Sequence, residues 1–170
     1  QYEQECPELV TNVVPAIISL TQCTELVRAL CAEGVSVRNF DQVLQAVAEA
    51  APRASAERSL LEEVRVVLRR AISHSIMKEG GLPVARIHQP LERALEGANV
   101  DHELVELLGY VLTQTRTLLP ERGAIVTSKR SRKLIADALR ADGQEYQVFA
   151  REELTDRCAN VVSLRLLMSS

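Results

Sequence analysis

Glu33-Gly34-Val35-Ser36-Val37-Arg38-Asn39-Phe40 decides how the chain begins to fold, because one helix ends on its left and another begins on its right. Gly34 suits the left-handed position that closes a helix. Val35 and Val37 alternate with Ser36, the pattern of a short extended link. Asn39, with Gln42 three residues on, resembles a capping box. Upstream, Ser19 or Thr21 can cap a helix carrying Cys23, Leu26, Val27 and Leu30 on one face. Downstream, Phe40, Val43, Leu44, Val47 and Ala51 recur at helical period until Pro52.

The same reading extends to both sides. Pro7 is a good first-turn residue for a short helix through Val14, which Pro15 interrupts. A longer helix is expected from Ala56 to Met77. Its apolar stripe is Leu60, Leu61, Val64, Val67, Leu68, Ala71 and Ile72, with Arg58, Glu62, Arg65 and Arg69 opposite. Lys78-Glu79-Gly80-Gly81-Leu82-Pro83 then reads as a linker. Beyond it the periodicity changes. Short strands are expected at Val84–Ile87, Gly123–Thr127, Tyr146–Phe149 and Val161–Leu167. Helices are expected at Pro90–Leu95, from Asp101 through Thr115, and at Arg132–Leu139. Strands alternating with helices indicate a small α/β sheet. The fold class is therefore α+β and mostly helical: a helical bundle over 1–78, a linker at 79–83 and a small α/β subdomain over 84–170.

Composition narrows the function. Apolar residues make up 46% of the 170 and charged residues 25%, enough for a buried core in one domain or two small ones. Twenty basic against 23 acidic side chains give a net charge of −3, and aromatics are 3%. That balance excludes the basic field and stacking platforms of a nucleic-acid binder. No apolar run approaches the roughly 20 residues that span a bilayer, and the polar, acidic start does not resemble a signal peptide. Cys6, Cys23, Cys31 and Cys158 have no metal-type spacing. Cys23 and Cys31, eight apart, read as buried free thiols on one helix face, suited to a reducing, cytoplasmic setting.

Residue-level chemistry is sparse. His74, His88 and His102 lie in three elements, so no metal ligand set is expected. Ser73-His74-Ser75 has no acidic orienter, and Glu62-Glu63 and Glu152-Glu153 read as solvated surface. Catalytic, metal and cofactor residues are therefore expected to be none. The exception is Thr127-Ser128-Lys129-Arg130-Ser131-Arg132-Lys133, which follows a buried strand and opens a helix. Free N–H groups and basic side chains there suggest an anionic-partner site at Ser128, Lys129, Arg130, Arg132 and Lys133. An alternative reading follows from it: a small α/β anion- or nucleotide-binding enzyme centred on 127–133.

Several blocks carry a resemblance. Pro7-Glu8-Leu9-Val10, Leu20-Thr21 into Glu25-Leu26-Val27-Arg28-Ala29-Leu30, and the Glu33–Phe40 stretch are similar to the large export-gate protein of type III secretion, injectisome and flagellar. So are Val43 through Pro52, Glu63-Val64-Arg65 and Leu68 through Ile72. Val126-Thr127-Ser128 and Val148-Phe149 before Glu152-Glu153-Leu154-Thr155 resemble the family's last subdomain. Asn39 resembles the injectisome branch, whereas Lys129 and Arg165 stand where relatives commonly place Pro and Gly.

The resemblance implies the C-terminal cytoplasmic part of a larger protein of the bacterial inner membrane. Residues 1–78 would match its helical third subdomain and 84–170 its α/β fourth. It implies no enzymatic activity and no cofactor. It also implies a homo-oligomeric ring, a nonamer in the full-length protein, that receives and selects chaperone–substrate complexes with other export-apparatus proteins. On that reading Glu33, Arg38, Asn39, Arg65 and Arg69 form a charged rim at the oligomer interface, with nucleic acid playing no part.

Overall fold

A computed structural model describes residues 7–55, 59–78, 83–98, 101–119, 123–155 and 163–165. The chain divides into two compact units, Gln1–His74 and Ser75–Ser170. Residues 79–82 of the expected linker, with Cys6, Arg58 and Cys158, lie outside the described residues.

The first unit is built from helices α1 (Pro7–Val13), α2 (Leu20–Ala32), α3 (Phe40–Ala50) and α4 (Leu60–Val67), with α5 (Arg69–Lys78) starting in it. Ser19 caps α2 through a reciprocal pair with Gln22: its hydroxyl accepts from the Gln22 N–H, and the Gln22 side chain accepts from the Ser19 N–H. Gly34 closes α2 at φ +74°, a conformation glycine adopts without the Cβ clash. The Val35 N–H then reaches the Leu30 carbonyl and the Gly34 N–H reaches Cys31, which satisfies two carbonyls left open at the helix end. Asn39 caps α3 by accepting from the Gln42 N–H, and a 3₁₀ turn at Ala51–Arg53 follows, with Pro52 in it.

The core packs Cys23, Leu26 and Leu30 of α2 with Val43, Leu44, Ala46, Val47 and Ala50 of α3 and Val64 of α4. Val35 is buried beside them, so the extended link is part of the core rather than a loop lying over it. Cys31 is exposed, against expectation. Eight residues at 100° each overshoot two turns by about 80°, which carries it off the buried stripe.

Two further expectations are corrected. The long helix is two: Leu68 breaks the geometry at φ −75°, ψ 5°, although its N–H still bonds Val64 and its carbonyl still accepts from Ile72. Of the face opposite the apolar stripe, only Arg69 is solvated among the described residues. Glu62, Glu63 and Arg65 are all buried, and Arg65 has no exposed surface. Helix α4 packs against both α2 and α3, so its polar side meets protein instead of water.

The second unit is a parallel four-stranded sheet with helices. Strands β1 (Val84–Arg86), β2 (Ala124–Thr127), β3 (Gln147–Ala150) and β4 (Ser163–Arg165) lie in the order β3-β2-β1-β4. The register aligns Val84 with Ala124 and with Ser163, and Ala124 with Gln147. Every residue of β2 is buried, the pattern of a parallel strand covered on both faces. Helices α6 (Gln89–Gly97), α7 (Asp101–Leu118) and α8 (Lys129–Ala141) supply Leu91, Leu95, Val111, Ile135 and Leu139 to a core shared with Ala85, Ile87, Ile125 and Val148. Gly123 sits in a tight place: a Cβ there would lie 3.1 Å from Leu119 and 3.2 Å from the Pro83 carbonyl oxygen, so a neighbour would have to give by a few tenths of an ångström.

Candidate functional site

The five residues read as an interface rim do not form one surface. Arg65 Nη1 donates to Glu33 Oε2 at 2.8 Å, with the two side chains 0% and 10% exposed. Glu33 is the residue that ends α2, so this pair ties the start of the 35–39 link to α4. The placement of Arg65 on an outer rim is corrected: a cation with a carboxylate at hydrogen-bond distance sits stably inside, whereas an isolated one does not. Asn39 is exposed but spends its carboxamide oxygen on the α3 cap. Arg38 and Arg69 remain exposed, Arg38 on the link and Arg69 at the first position of α5.

A surface pocket of about 200 Å³ lies between α3 and the α4–α5 break. Gln42, Gln45, Ala46 and Glu49 line one side, and Val67, Leu68, Arg70 and Ala71 the other. Leu68, at the break, is part of the lining.

In the second unit the basic turn before α8 is already supplied with anions by the chain. Ser128 caps α8, its hydroxyl accepting from the Ser131 N–H and donating to Glu96, which the Ser131 hydroxyl also reaches. Arg132 has no exposed surface and pairs with the equally buried Glu153, Nε to Oε1 at 3.4 Å. Lys129 is half-buried, and only Arg130 and Lys133 are exposed. The expectation of an external anion at Ser128 and Arg132 is therefore corrected, and nothing in the structure supports the enzyme built on 127–133.

Next to this turn lies a polar cluster that sequence reasoning missed. Glu92, 2% exposed, accepts two bonds from Arg151 Nη1 at 2.6 and 2.9 Å and one from the Thr127 hydroxyl at 3.1 Å. The hydrogen bond it donates to Glu92 holds the Arg151 guanidinium above its ordinary pKa, and the charges of Glu92, Glu152 and Glu96 add to this while burial opposes it. Thr127 ends β2 and Arg151 follows β3, so the cluster lies at the carboxyl edge of the sheet and locks α6 to both strands. A threonine ending a buried strand and an arginine just after another were the available signals. Glu153, read as solvated, is buried, while its neighbour Glu152 is exposed.

Ser73 is buried and His74 exposed, so the two do not act together. Among the described residues no three His, Cys, Asp or Glu side chains gather as a metal site. No helix among them is long and apolar enough to cross a membrane.

The model of the FHIPEP family matches residues 1–159. The flagellar biosynthesis protein FlhA of Escherichia coli K12 is 30% identical over 165 residues, covering 90% of this chain and 23% of the relative. The MxiA structure from Shigella flexneri superposes with a TM-score of 0.79 at 23% identity, over 97% of this chain and 57% of that one. A structure described as nonameric EPEC SctV-C superposes with a TM-score of 0.76 at 18% identity, over 97% and 52%. The chain thus spans about a quarter of the full-length relative, and about half of each solved structure.

Proposed function

The chain belongs to the FHIPEP family and is a C-terminal cytoplasmic part of a type III secretion export-gate protein; from that premise we propose that it forms rings and helps to receive and select chaperone–substrate complexes for export. The observation that carries the reading is the family match over residues 1–159, which spans both units. The nonameric assembly described for EPEC SctV-C supports a ring. The two units then divide the work: the helical unit (1–78 in the sequence reading) makes the junctions, and the α/β unit (84–170) faces incoming cargo and other export-apparatus proteins. The larger protein sits in the bacterial inner membrane, with this part on its cytoplasmic side. The activity is assembly and binding without catalysis, in keeping with relatives that are export components. Arg38 and Arg69 are the arginines of that rim that are exposed, and Arg38→Glu should weaken ring formation without lowering the melting temperature.

The test combines two measurements on a chain extended to the whole cytoplasmic region. Sedimentation velocity at low salt should show assemblies larger than a dimer. A chaperone–substrate complex should be retained on the immobilised region and lost when residues 84–170 are removed. A region that stays monomeric removes the ring. Retention that survives the deletion removes the cargo role of the α/β unit.

A further inference from the structure

Helix α7 carries more apolar surface than the second unit covers. Val111 is buried in the core, whereas Val105 is 67% exposed. Val105, Leu108, Gly109 and Leu112 follow at i, i+3, i+4 and i+7, so they share one face of the helix. Leu108 and Leu112 pack against the core but are only partly buried, which leaves some of their surface open on that face.

Gly109 points to a close neighbour there. Glycine is among the poorest helix formers, yet it stands in the middle of an 18-residue helix. Nothing inside the chain requires it: a Cβ at Gly109 would meet nothing within 4 Å, in contrast to the crowded Gly123. The Gly109 carbonyl accepts the Thr113 hydroxyl at 2.9 Å, a bond that any residue at this position could make. Beside Val105, one turn earlier, the bare backbone forms a notch. Such a notch lets a second helix approach to the short end of the usual interaxial distance of about 8–10 Å.

The charges near the stripe set the sign of the partner. Glu103 and Glu106 are exposed in the same half of the helix as Val105, with His102 Nδ1 3.5 Å from Glu106 Oε1. Two carboxylates against one imidazole leave this half negative whichever form the histidine takes. At the other end Arg116 is held by Asp142 at 2.6 Å.

We infer that this face of α7 takes an amphipathic helix of an incoming protein. Its aliphatic seam lies over Gly109 against Val105, Leu108 and Leu112, and its lysine or arginine flank meets Glu103 and Glu106. The apolar anchors supply the contact area, and the charges select the partner and speed its encounter. The inference rests on the reading of 84–170 as the unit that faces cargo, and gives that unit a surface and a kind of partner.

The test uses the 170-residue chain and a fluorescent amphipathic peptide of about 20 residues, long enough to be helical, with a leucine seam and lysine flanks. A second peptide carries glutamate in place of every lysine. Anisotropy at low salt should show the lysine peptide binding at least about tenfold more tightly. Gly109→Leu, which fills the notch, and Glu106→Lys, which reverses the rim, should each weaken the lysine peptide by about tenfold or more. The melting temperature of Gly109→Leu should be no lower than wild type, because leucine is the better helix former and enters open space. Equal affinity for the two peptides, wild-type binding by Gly109→Leu, or no binding of the lysine peptide would each overturn this surface. So would retention of a chaperone–substrate complex that is lost without residues 84–170 but unchanged by Gly109→Leu, an outcome that leaves the cargo reading standing. Retention that survives removal of 84–170 would overturn both.

Discussion

Replacing Arg65 by methionine tests whether the first unit depends on its interior charge pair. The substitution keeps an unbranched aliphatic stem to fill the space and removes the guanidinium. The Glu33 carboxylate, 10% exposed at the C-terminal end of α2, then loses a partner 2.8 Å away. Removing one member of a buried pair costs about 3–5 kcal/mol. The slight exposure of Glu33 lets some water in, which places Arg65→Met near about 3 kcal/mol. Glu33→Gln should cost more, about 4 kcal/mol, because arginine cannot shed its proton and Arg65 has no surface through which to rehydrate. With a urea m-value of about 2 kcal/mol/M, a 3 kcal/mol loss moves the midpoint of the helical signal by about 1.5 M. Arg69→Met, one turn on and exposed, should shift stability by no more than about 0.5 kcal/mol. Joining Arg65→Met with Glu33→Met should recover much of the loss, since apolar replacement of both partners is often near neutral. Equal midpoints for Arg65→Met and Arg69→Met would refute the reasoning, as would a double variant whose losses simply add.

Leu68→Ala should destabilise the first unit by about 2–4 kcal/mol, somewhat below the deepest leucine sites because Leu68 is 7% exposed and lines the pocket; calorimetry checks it. In the second unit Glu153→Gln should cost about 3–5 kcal/mol and Glu92→Gln about 2 kcal/mol, measured by urea unfolding. The order follows from Arg132 being wholly buried whereas the Arg151 side chain, 42% exposed, can swing into water; the reverse order would contradict it. Burial pushes the Cys23 thiol above its ordinary pKa, so less of it is thiolate at any pH below that value. In a chain with Cys6 and Cys158 changed to serine, maleimide at pH 7.5 should label exposed Cys31 quickly and Cys23 only upon unfolding, as read by mass spectrometry.

What was legible in the sequence is what is local. The caps at Ser19 and Asn39, the glycine closure at Gly34 and the buried strand at 124–127 each depend on residues within a few positions of one another. The helical register of Leu26, Leu30, Val43 and Val47 was equally plain, because one apolar face suffices to find it. The polar interior was not. Glu33 and Arg65 are 32 residues apart and Glu92 and Arg151 are 59 apart, so no short pattern links them. A charged residue looks the same in sequence whether it faces water or a partner. At the turn before α8 the carboxylate partners of Ser128 and Arg132, Glu96 and Glu153, were hidden for the same reason, since they come from other parts of the chain. The helix break at Leu68 left no mark either, since a good helix former occupies it.

The strand order β3-β2-β1-β4 also sets a timetable for synthesis. Strand β1 is central, yet the neighbour on one of its sides, β4, pairs Ser163 with Val84. With about 80 residues between them and translation at about 5–20 residues per second, β1 emerges roughly 4–16 s before that partner exists. During this interval its free edge offers unpaired N–H and C=O groups to any other nascent strand, the geometry that seeds aggregation. The helical unit, by contrast, emerges first and contains all of α1–α4, so it can fold while the sheet still waits. Slowing translation after residue 127 should therefore reduce soluble yield, whereas slowing it before residue 78 should leave yield unchanged.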